Sequence, residues 1–152
     1  MTKVAAVQMV STPVVSENKR VAERLIREAA DKGAELVLLP EYWPAIGLKD
    51  IEKLAVAEPY GNGPIQDFMA QLAQRYKIWL IGGTLSLFAP DANKVLNTTL
   101  VYRPDGVNVA RYDKIHLFSF STEREAYDES VVINRGHSVT AFDAPFGRVG
   151  LS

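Results

Sequence analysis

The feature that most constrains the fold of this chain is the alternation of short apolar runs with segments of helical periodicity. Residues 3–9 and 35–39 are apolar runs of strand length, and between them Val21, Leu25 and Ala29 recur at four-residue spacing. That spacing places the three side chains on one face of a helix. Strands that alternate with helices predict an α/β layered fold in which the helix lies on a sheet.

Helix boundaries are indicated by capping residues. Ser16 is of the type that caps a helix N-terminus, and Gly33 is of the type that ends a helix. Gly63 and Pro64 open a second helix, with proline in its first turn, and apolar residues recur on one face as far as Tyr76. This second helix has the clearest pattern in the chain.

Further strands are expected at 78–84, 95–102, 107–112, 139–142 and 148–151. The turn at residues 104–106, Pro-Asp-Gly, predicts an antiparallel hairpin between the second and third of them. Residues 118–137 are largely polar and lack periodicity, which is typical of an active-site loop.

Composition excludes several classes of protein. With 152 residues, 47% of them apolar, the chain can bury a core of single-domain size. Its net charge of -1 provides no basic field for nucleic acid or an anionic membrane, and no apolar run approaches the roughly 20 residues that span a bilayer. We therefore expect no nucleic-acid partner, no membrane and a cytoplasmic location. The chain has no cysteine, and His116 and His137 are too few for a histidine metal cluster.

Polar residues follow two of the predicted strands. Glu41 comes directly after the run Leu-Leu-Pro, and Lys114 and His116 follow the strand that ends near residue 112. Each has a structural alternative: Glu41 can be a solvated loop residue, and Lys114 can be an edge-strand lysine that discourages aggregation. A lone histidine such as His116 is more often a hydrogen-bonded structural residue than a catalyst.

A glycine pair at 82–83 lacks the pattern of a phosphate loop, so we expect close backbone packing there.

Taken together, the ordered motifs resemble the nitrilase, or carbon-nitrogen hydrolase, superfamily over the whole chain. They are Gln8 in the first strand, Leu38-Leu39-Pro40-Glu41, Gly82-Gly83-Thr84, Asn97-Thr98, Pro104-Asp105-Gly106, Tyr112-Asp113-Lys114-Ile115-His116-Leu117, and Phe146 to Ser152. Each motif alone is weak, but the set in this order is specific. The resemblance implies an α-β-β-α sandwich, of which residues 1–152 would be the N-terminal portion of a single domain and therefore incomplete.

The resemblance also implies a site. The family hydrolyses non-peptide C–N bonds with a glutamate, a lysine and a cysteine, often with a second glutamate, and uses neither cofactor nor metal. By motif the first two fall on Glu41 and Lys114, and the second glutamate falls on Glu129, with Glu123 and Glu125 as alternatives in the same loop. The cysteine would lie just past Ser152, which itself lacks the surroundings of a serine nucleophile.

In this chemistry Glu41 would take the thiol proton and Lys114 would stabilise the oxyanion. Tyr42 and Trp43 would either wall a substrate pocket or simply pack. We expect an amidase of the ω-amidase-like type acting on small carboxamides, homo-oligomeric when complete, with residues 1–152 inactive and marginally folded by themselves. The alternatives are a nitrile or N-carbamoyl hydrolase, a non-catalytic fragment or interaction module that needs a cysteine-bearing partner, and an unrelated doubly wound binding domain.

Overall fold

The structure, a computed structural model, describes residues 1–47 and 49–152. The two α-helices of this part of the chain are α1 (Val15–Asp31) and α2 (Pro64–Tyr76). The strands are β1 (Val4–Ala6), β2 (Leu36–Leu38), β3 (Trp79–Ile81), β4 (Leu85–Phe88), β5 (Val95–Tyr102), β6 (Asn108–Asp113), β7 (Ser119–Ser121), β8 (Ala126–Asp128), β9 (Ile133–Asn134), β10 (Thr140–Ala144) and β11 (Gly147–Leu151). Short 3-10 segments occupy Asp50–Val56 and Glu129–Val131.

Helix α1 begins earlier than its sequence suggests. Val14 precedes it in an extended conformation without a side-chain cap, and Ser16 lies inside the first turn, so the prediction of Ser16 as N-cap was wrong. Buried Asn18 organises this end instead: its amide donates to the carbonyls of Thr12 and Pro44 at 2.7 and 2.9 Å. The C-terminal end is as predicted, since the helix stops at Asp31 and Gly33 takes a φ of +82°.

Helix α2 begins at Pro64, as its sequence predicts. Its free N–H groups are satisfied by a buried carboxylate: Glu58 accepts hydrogen bonds from the backbone N–H groups of Ile65 and Gln66 at 2.6 and 3.2 Å. A negative charge at a helix N-terminus is favourable both as a hydrogen-bond acceptor and toward the helix dipole. The predicted apolar face is buried on the sheet through Met69, Leu72 and Ala73, among others.

The main sheet is built around β5, which is buried along its whole length. β1, β2 and β3 run parallel to one another. β5 runs antiparallel to these three strands. Along one edge, β5 pairs with β3 and β4, both antiparallel to it. Along its other edge, it pairs with antiparallel β6 and with parallel β9. This order brings the end of β2, the start of β5 and the end of β6 to one region of the sheet.

The two faces of the sheet are covered differently. Helices α1 and α2 pack on one face and form the larger apolar core. On the other face lies the antiparallel hairpin of β10 and β11, where Phe142 stacks on Trp79 at 5.6 Å between ring centroids and Phe146 meets the same ring edge-on at 6.0 Å. The described residues therefore supply helix, sheet and hairpin layers in that order, and the predicted α/β class is confirmed.

Two segments differ from the sequence predictions. The predicted strand at 78–84 ends at Ile81, and after Gly82 and Gly83 the chain re-enters the sheet as β4, which the periodicity did not indicate. The polar segment 118–137 is not a plain loop, because it contains the β7–β8 hairpin, a 3-10 turn and β9. In the described part of the chain, no helix is long and apolar enough to cross a membrane.

Candidate active site

Three side chains that are remote in sequence meet at the end of the sheet. Glu41 follows β2, Lys114 follows β6, and Glu129 follows β8. The ammonium nitrogen of Lys114 lies 3.1 Å from Oε1 of Glu41 and 3.0 Å from Oε2 of Glu129. The structure thus places one cation between two carboxylates, and the three side chains form a single cluster.

Backbone contacts around the end of β2 hold Glu41 in place. The N–H of Leu39 donates to the carbonyl of Ile81 at 3.0 Å, and the N–H of Tyr42 donates to the hydroxyl of Thr84 at 2.8 Å. Gly83 has a φ of +56°, and a Cβ there would overlap the carbonyl oxygen of Pro40. The close backbone packing expected of the glycine pair is therefore confirmed, and it lies directly beside Glu41.

Lys114 is held by both its backbone and its charge partners. Its N–H donates to the carbonyl of Asn97 at 2.9 Å, which extends the β5–β6 ladder by one residue. Partial burial by itself would lower the pKa of the Lys114 ammonium, but the hydrogen bonds and charges of Glu129 and Glu41 outweigh it and raise that pKa above its ordinary value. Lys114 is therefore cationic throughout the physiological range.

Of the three loop glutamates, the structure places Glu129 at the lysine. Its side chain is buried, and its carboxylate also accepts a hydrogen bond from the N–H of Phe118 at 2.8 Å. Glu123 and Glu125 are exposed at the turn of the β7–β8 hairpin. Only Glu129 of the three contacts Lys114 in the described structure, and its role as the second catalytic carboxylate stays a prediction.

Asn97 is a member of the cluster to which the sequence reasoning gave no role. Its amide nitrogen donates to Oε1 of Glu41 at 2.7 Å. The signal that could have indicated it is an amide side chain within a long strand that is otherwise suited to full burial, since a buried polar group needs a partner.

Two cavities adjoin the cluster. One, of about 730 Å³, is lined by Glu41, Lys114, His116 and the last residues of the chain from Val149 to Ser152. The other, of about 540 Å³, lies where Tyr42, Phe118, Tyr127 and Glu129 surround the same pair, Glu41 and Lys114. Both cavities have room for a small molecule, and the Glu41–Lys114 pair lines both.

Tyr42 and Trp43 have different surroundings. Trp43 is completely buried, donates its indole N–H to the carbonyl of Gly82 at 2.9 Å and contacts the ring of Phe68 at 5.8 Å. Trp43 therefore packs in the core and lines neither of these two cavities, because the turn after Glu41 directs the indole inward. Tyr42 lines the second cavity, where burial, followed by the charges of Glu129 and Glu41, raises the pKa of its phenol.

Within the described residues there is no group of three or more histidine, cysteine, aspartate or glutamate side chains that could hold a metal ion. Independence of metals and cofactors stays a prediction. The chemistry available at the cluster is proton transfer by a carboxylate and charge stabilisation by an ammonium group.

Comparison with known proteins identifies the family. The carbon-nitrogen hydrolase family profile matches residues 3–152. The chain belongs to the carbon-nitrogen hydrolase family. Omega-amidase NIT2 of Homo sapiens is 36% identical over 151 residues, covering 98% of this chain and 53% of that protein. Deaminated glutathione amidase of Synechocystis sp. is 36% identical over 152 residues, covering 97% of this chain and 55% of that protein.

A solved structure supports the same assignment. The crystal structure of the C. elegans NitFhit protein superposes with a TM-score of 0.84 at 32% identity, covering 100% of this chain and 38% of that one. The fold is therefore that of the nitrilase superfamily, and the chain is related to amidases that hydrolyse C–N bonds. It spans about half the length of the curated relatives it matches.

Proposed function

We propose that the complete protein hydrolyses the C–N bond of small carboxamides through Glu41, Lys114 and a cysteine outside residues 1–152. The observation that carries this proposal is the Lys114 ammonium held between the Glu41 and Glu129 carboxylates at a cavity that the end of β11 also lines. Because Ser152 lies at that cavity, residues following it would enter beside Glu41. The omega-amidase and deaminated glutathione amidase relatives support an amide substrate.

Acylation would begin with proton transfer. A thiol near its ordinary pKa of about 8.5 is only a few per cent ionised at neutral pH, so a base must take its proton. The Glu41 carboxylate would accept that proton as the sulfur forms a bond to the amide carbon. The carbonyl oxygen would then carry a negative charge beside Lys114, and one well-placed donor at such an oxyanion contributes about 3–4 kcal/mol.

Collapse of the tetrahedral intermediate would break the C–N bond. Protonated Glu41 would return its proton to the leaving nitrogen, so ammonia departs and a thioester remains. A water molecule, deprotonated by Glu41, would attack the thioester carbon and release the carboxylic acid, and the proton would return to the sulfur. Glu129 would orient Lys114 and keep it cationic throughout, as the raised pKa of Lys114 indicates.

The remaining parts of the proposal concern the setting of the enzyme. A small carboxamide would occupy one of the two cavities beside Glu41 and Lys114, with Tyr42 in the wall of the second. The complete protein would work in the cytoplasm as a homo-oligomer without metal or cofactor. Nucleic acid and membranes would not be partners, consistent with the net charge of -1.

The test is to express the complete reading frame and measure ammonia release from a panel of small carboxamides, nitriles and N-carbamoyl compounds. We expect turnover of carboxamides, and an acyl adduct on one cysteine detected by intact-protein mass spectrometry. The matched control replaces that cysteine with alanine, which should abolish both signals. A reading frame without a cysteine shortly after Ser152, or a protein inactive on the whole panel, would favour a non-catalytic interaction module instead.

A further inference from the structure

Asn97 is an unusual residue for its position. It is 1% exposed, in a strand buried along its whole length. Its Oδ1 is also buried and has no hydrogen-bond partner among residues 1–47 and 49–152. An unsatisfied buried acceptor is unfavourable, so the fold alone gives no reason for an amide here. The reason must lie in what its other atoms contact.

Those atoms contact both members of the Glu41–Lys114 pair. The side-chain Nδ2 of Asn97 donates to Oε1 of Glu41 at 2.7 Å, and its main-chain oxygen accepts from the N–H of Lys114 at 2.9 Å. One residue of a buried strand therefore contacts the carboxylate through its side chain and the lysine through its backbone.

The geometry distinguishes the two oxygens of Glu41. Asn97 Nδ2 and Lys114 Nζ, at 2.7 and 3.1 Å, both donate to the same atom, Oε1. A carboxylate oxygen that accepts two hydrogen bonds is a poorer proton acceptor than its neighbour, since protonation there would displace a donor. Oε2 is thereby the oxygen left to exchange protons.

We propose that Asn97 is a positioning residue that, together with Lys114, fixes Oε1 of Glu41 and makes Oε2 the atom that exchanges protons with the thiol, the leaving nitrogen and water. The proposal deepens the proposed amide hydrolysis and rests on it.

The test uses Asn97→Leu in the complete protein, which keeps a branched side chain but removes the donor. A hydrogen bond to a charged group contributes about 1.5–3 kcal/mol, so kcat/KM should fall roughly 10- to 100-fold. The loss should appear in kcat rather than in KM, because Asn97 contacts the carboxylate that exchanges protons, while the unfolding midpoint stays close to that of the unmodified protein. Asn97→Ala serves if the leucine variant does not fold.

The matched control is Ser86→Ala. Ser86 is buried and lies opposite Asn97 in the β4–β5 ladder. Its replacement therefore removes a buried hydroxyl group from the neighbouring position of the sheet. This variant should retain the kcat and the KM of the unmodified protein. An equal loss of kcat/KM in Ser86→Ala, or an unchanged kcat in Asn97→Leu, would overturn the positioning role.

A second readout is independent of turnover. The Glu41 carboxylate can be observed by ¹³C NMR of protein with labelled glutamate, with Glu41→Gln to assign the signal. In Asn97→Leu the chemical shift of the Glu41 carboxyl carbon should change, because its Oε1 has lost a hydrogen-bond donor, while in Ser86→Ala it should not. If the unmodified protein hydrolyses no amide, the proposed function fails and this chemical shift alone decides whether Asn97 positions Glu41. An identical chemical shift in Asn97→Leu and in the unmodified protein would refute the positioning role.

Discussion

The ammonium group of Lys114 lies 3.1 Å from Oε1 of Glu41, although 73 positions separate the two residues in the sequence. The contact forms because Glu41 leaves the sheet after β2 and Lys114 leaves it after β6, at either side of the buried start of β5. Glu129 completes the cluster, with its Oε2 3.0 Å from the same lysine nitrogen. Five predictions follow from this arrangement and its surroundings, all for the complete protein unless stated otherwise.

Replacing either member of the central pair should suppress catalysis more than binding. Glu41→Gln keeps the shape but removes the base, so acyl-enzyme formation should fall by about 10²–10⁴-fold. Lys114→Met removes the oxyanion donor and should reduce kcat by about 10²–10³-fold. Single-turnover kinetics and substrate-binding titrations measure both effects. Near-normal amide hydrolysis in either variant would show that the residues are wrongly assigned.

The loop glutamates offer an internal comparison. Glu129→Gln should lower kcat/KM at least tenfold, because Lys114 and the N–H of Phe118 lose their charged acceptor. Glu123→Gln and Glu125→Gln, which change the same residue type at the exposed hairpin turn, should stay within about twofold of the unmodified protein. Steady-state kinetics of the three variants decide the matter. A larger loss at Glu123 or Glu125 would move the second carboxylate to the hairpin.

The raised pKa of Lys114 predicts how stability depends on pH. A lysine whose pKa is higher in the folded state stabilises the fold at all pH values below its unfolded pKa, about 10.4, and loses that effect as pH rises through the folded value. The difference in denaturant midpoint between the unmodified protein and Lys114→Met should therefore be constant from pH 7 to about 10 and narrow above it. In Glu129→Gln, the folded pKa of Lys114 is raised less. The difference in midpoint between that variant and a double variant that also carries Lys114→Met should therefore be smaller, and its narrowing should be complete at lower pH.

Gly83 should be more sensitive to alanine than other glycines of similar backbone conformation. Its φ is +56°, and an added Cβ would meet the carbonyl oxygens of Pro40 and Leu39, the residues that precede Glu41. Gly61→Ala is the matched control, since Gly61 has a φ of +81° and open space around it. Both variants should lose about 1 kcal/mol or more from backbone strain, but Gly83→Ala should lose more and also lower kcat. Equal unfolding midpoints and equal kcat values in Gly83→Ala and Gly61→Ala would contradict this prediction.

Replacing Trp43 and replacing Tyr42 should have opposite effects on stability. Trp43→Ala removes a fully buried ring and an indole hydrogen bond, so unfolding free energy should fall by about 3–5 kcal/mol. Tyr42→Phe deletes a buried hydroxyl that has no partner in the described structure, so the thermal midpoint should stay the same or rise. Thermal unfolding measures both. A marked loss of stability in Tyr42→Phe would indicate a hydrogen bond to its hydroxyl.

Much of the fold could be predicted because it depends on local pattern. The apolar face of α2, its proline start and the long strand β5 all follow from residues close together in sequence. The two failures arise from contacts between distant parts of the chain. Buried Asn18 organises the start of α1 in place of a conventional cap, and the glycine pair at 82–83, packed against the end of β2, divides one apolar run into β3 and β4. Neither effect can be seen without the contacts made by Asn18 and Gly83 with distant backbone.

The sequence by itself determined the family, the α/β class and the residue types of the candidate site, because motif order and hydrophobic periodicity are properties of the chain alone. Only the tertiary structure decided which glutamate meets Lys114, that Trp43 belongs to the core, and that Asn97 binds the same oxygen of Glu41 as the lysine does. Those outcomes depend on distances between residues 15 to 73 positions apart. Such distances are set when strands pair and layers pack, and no local pattern encodes them.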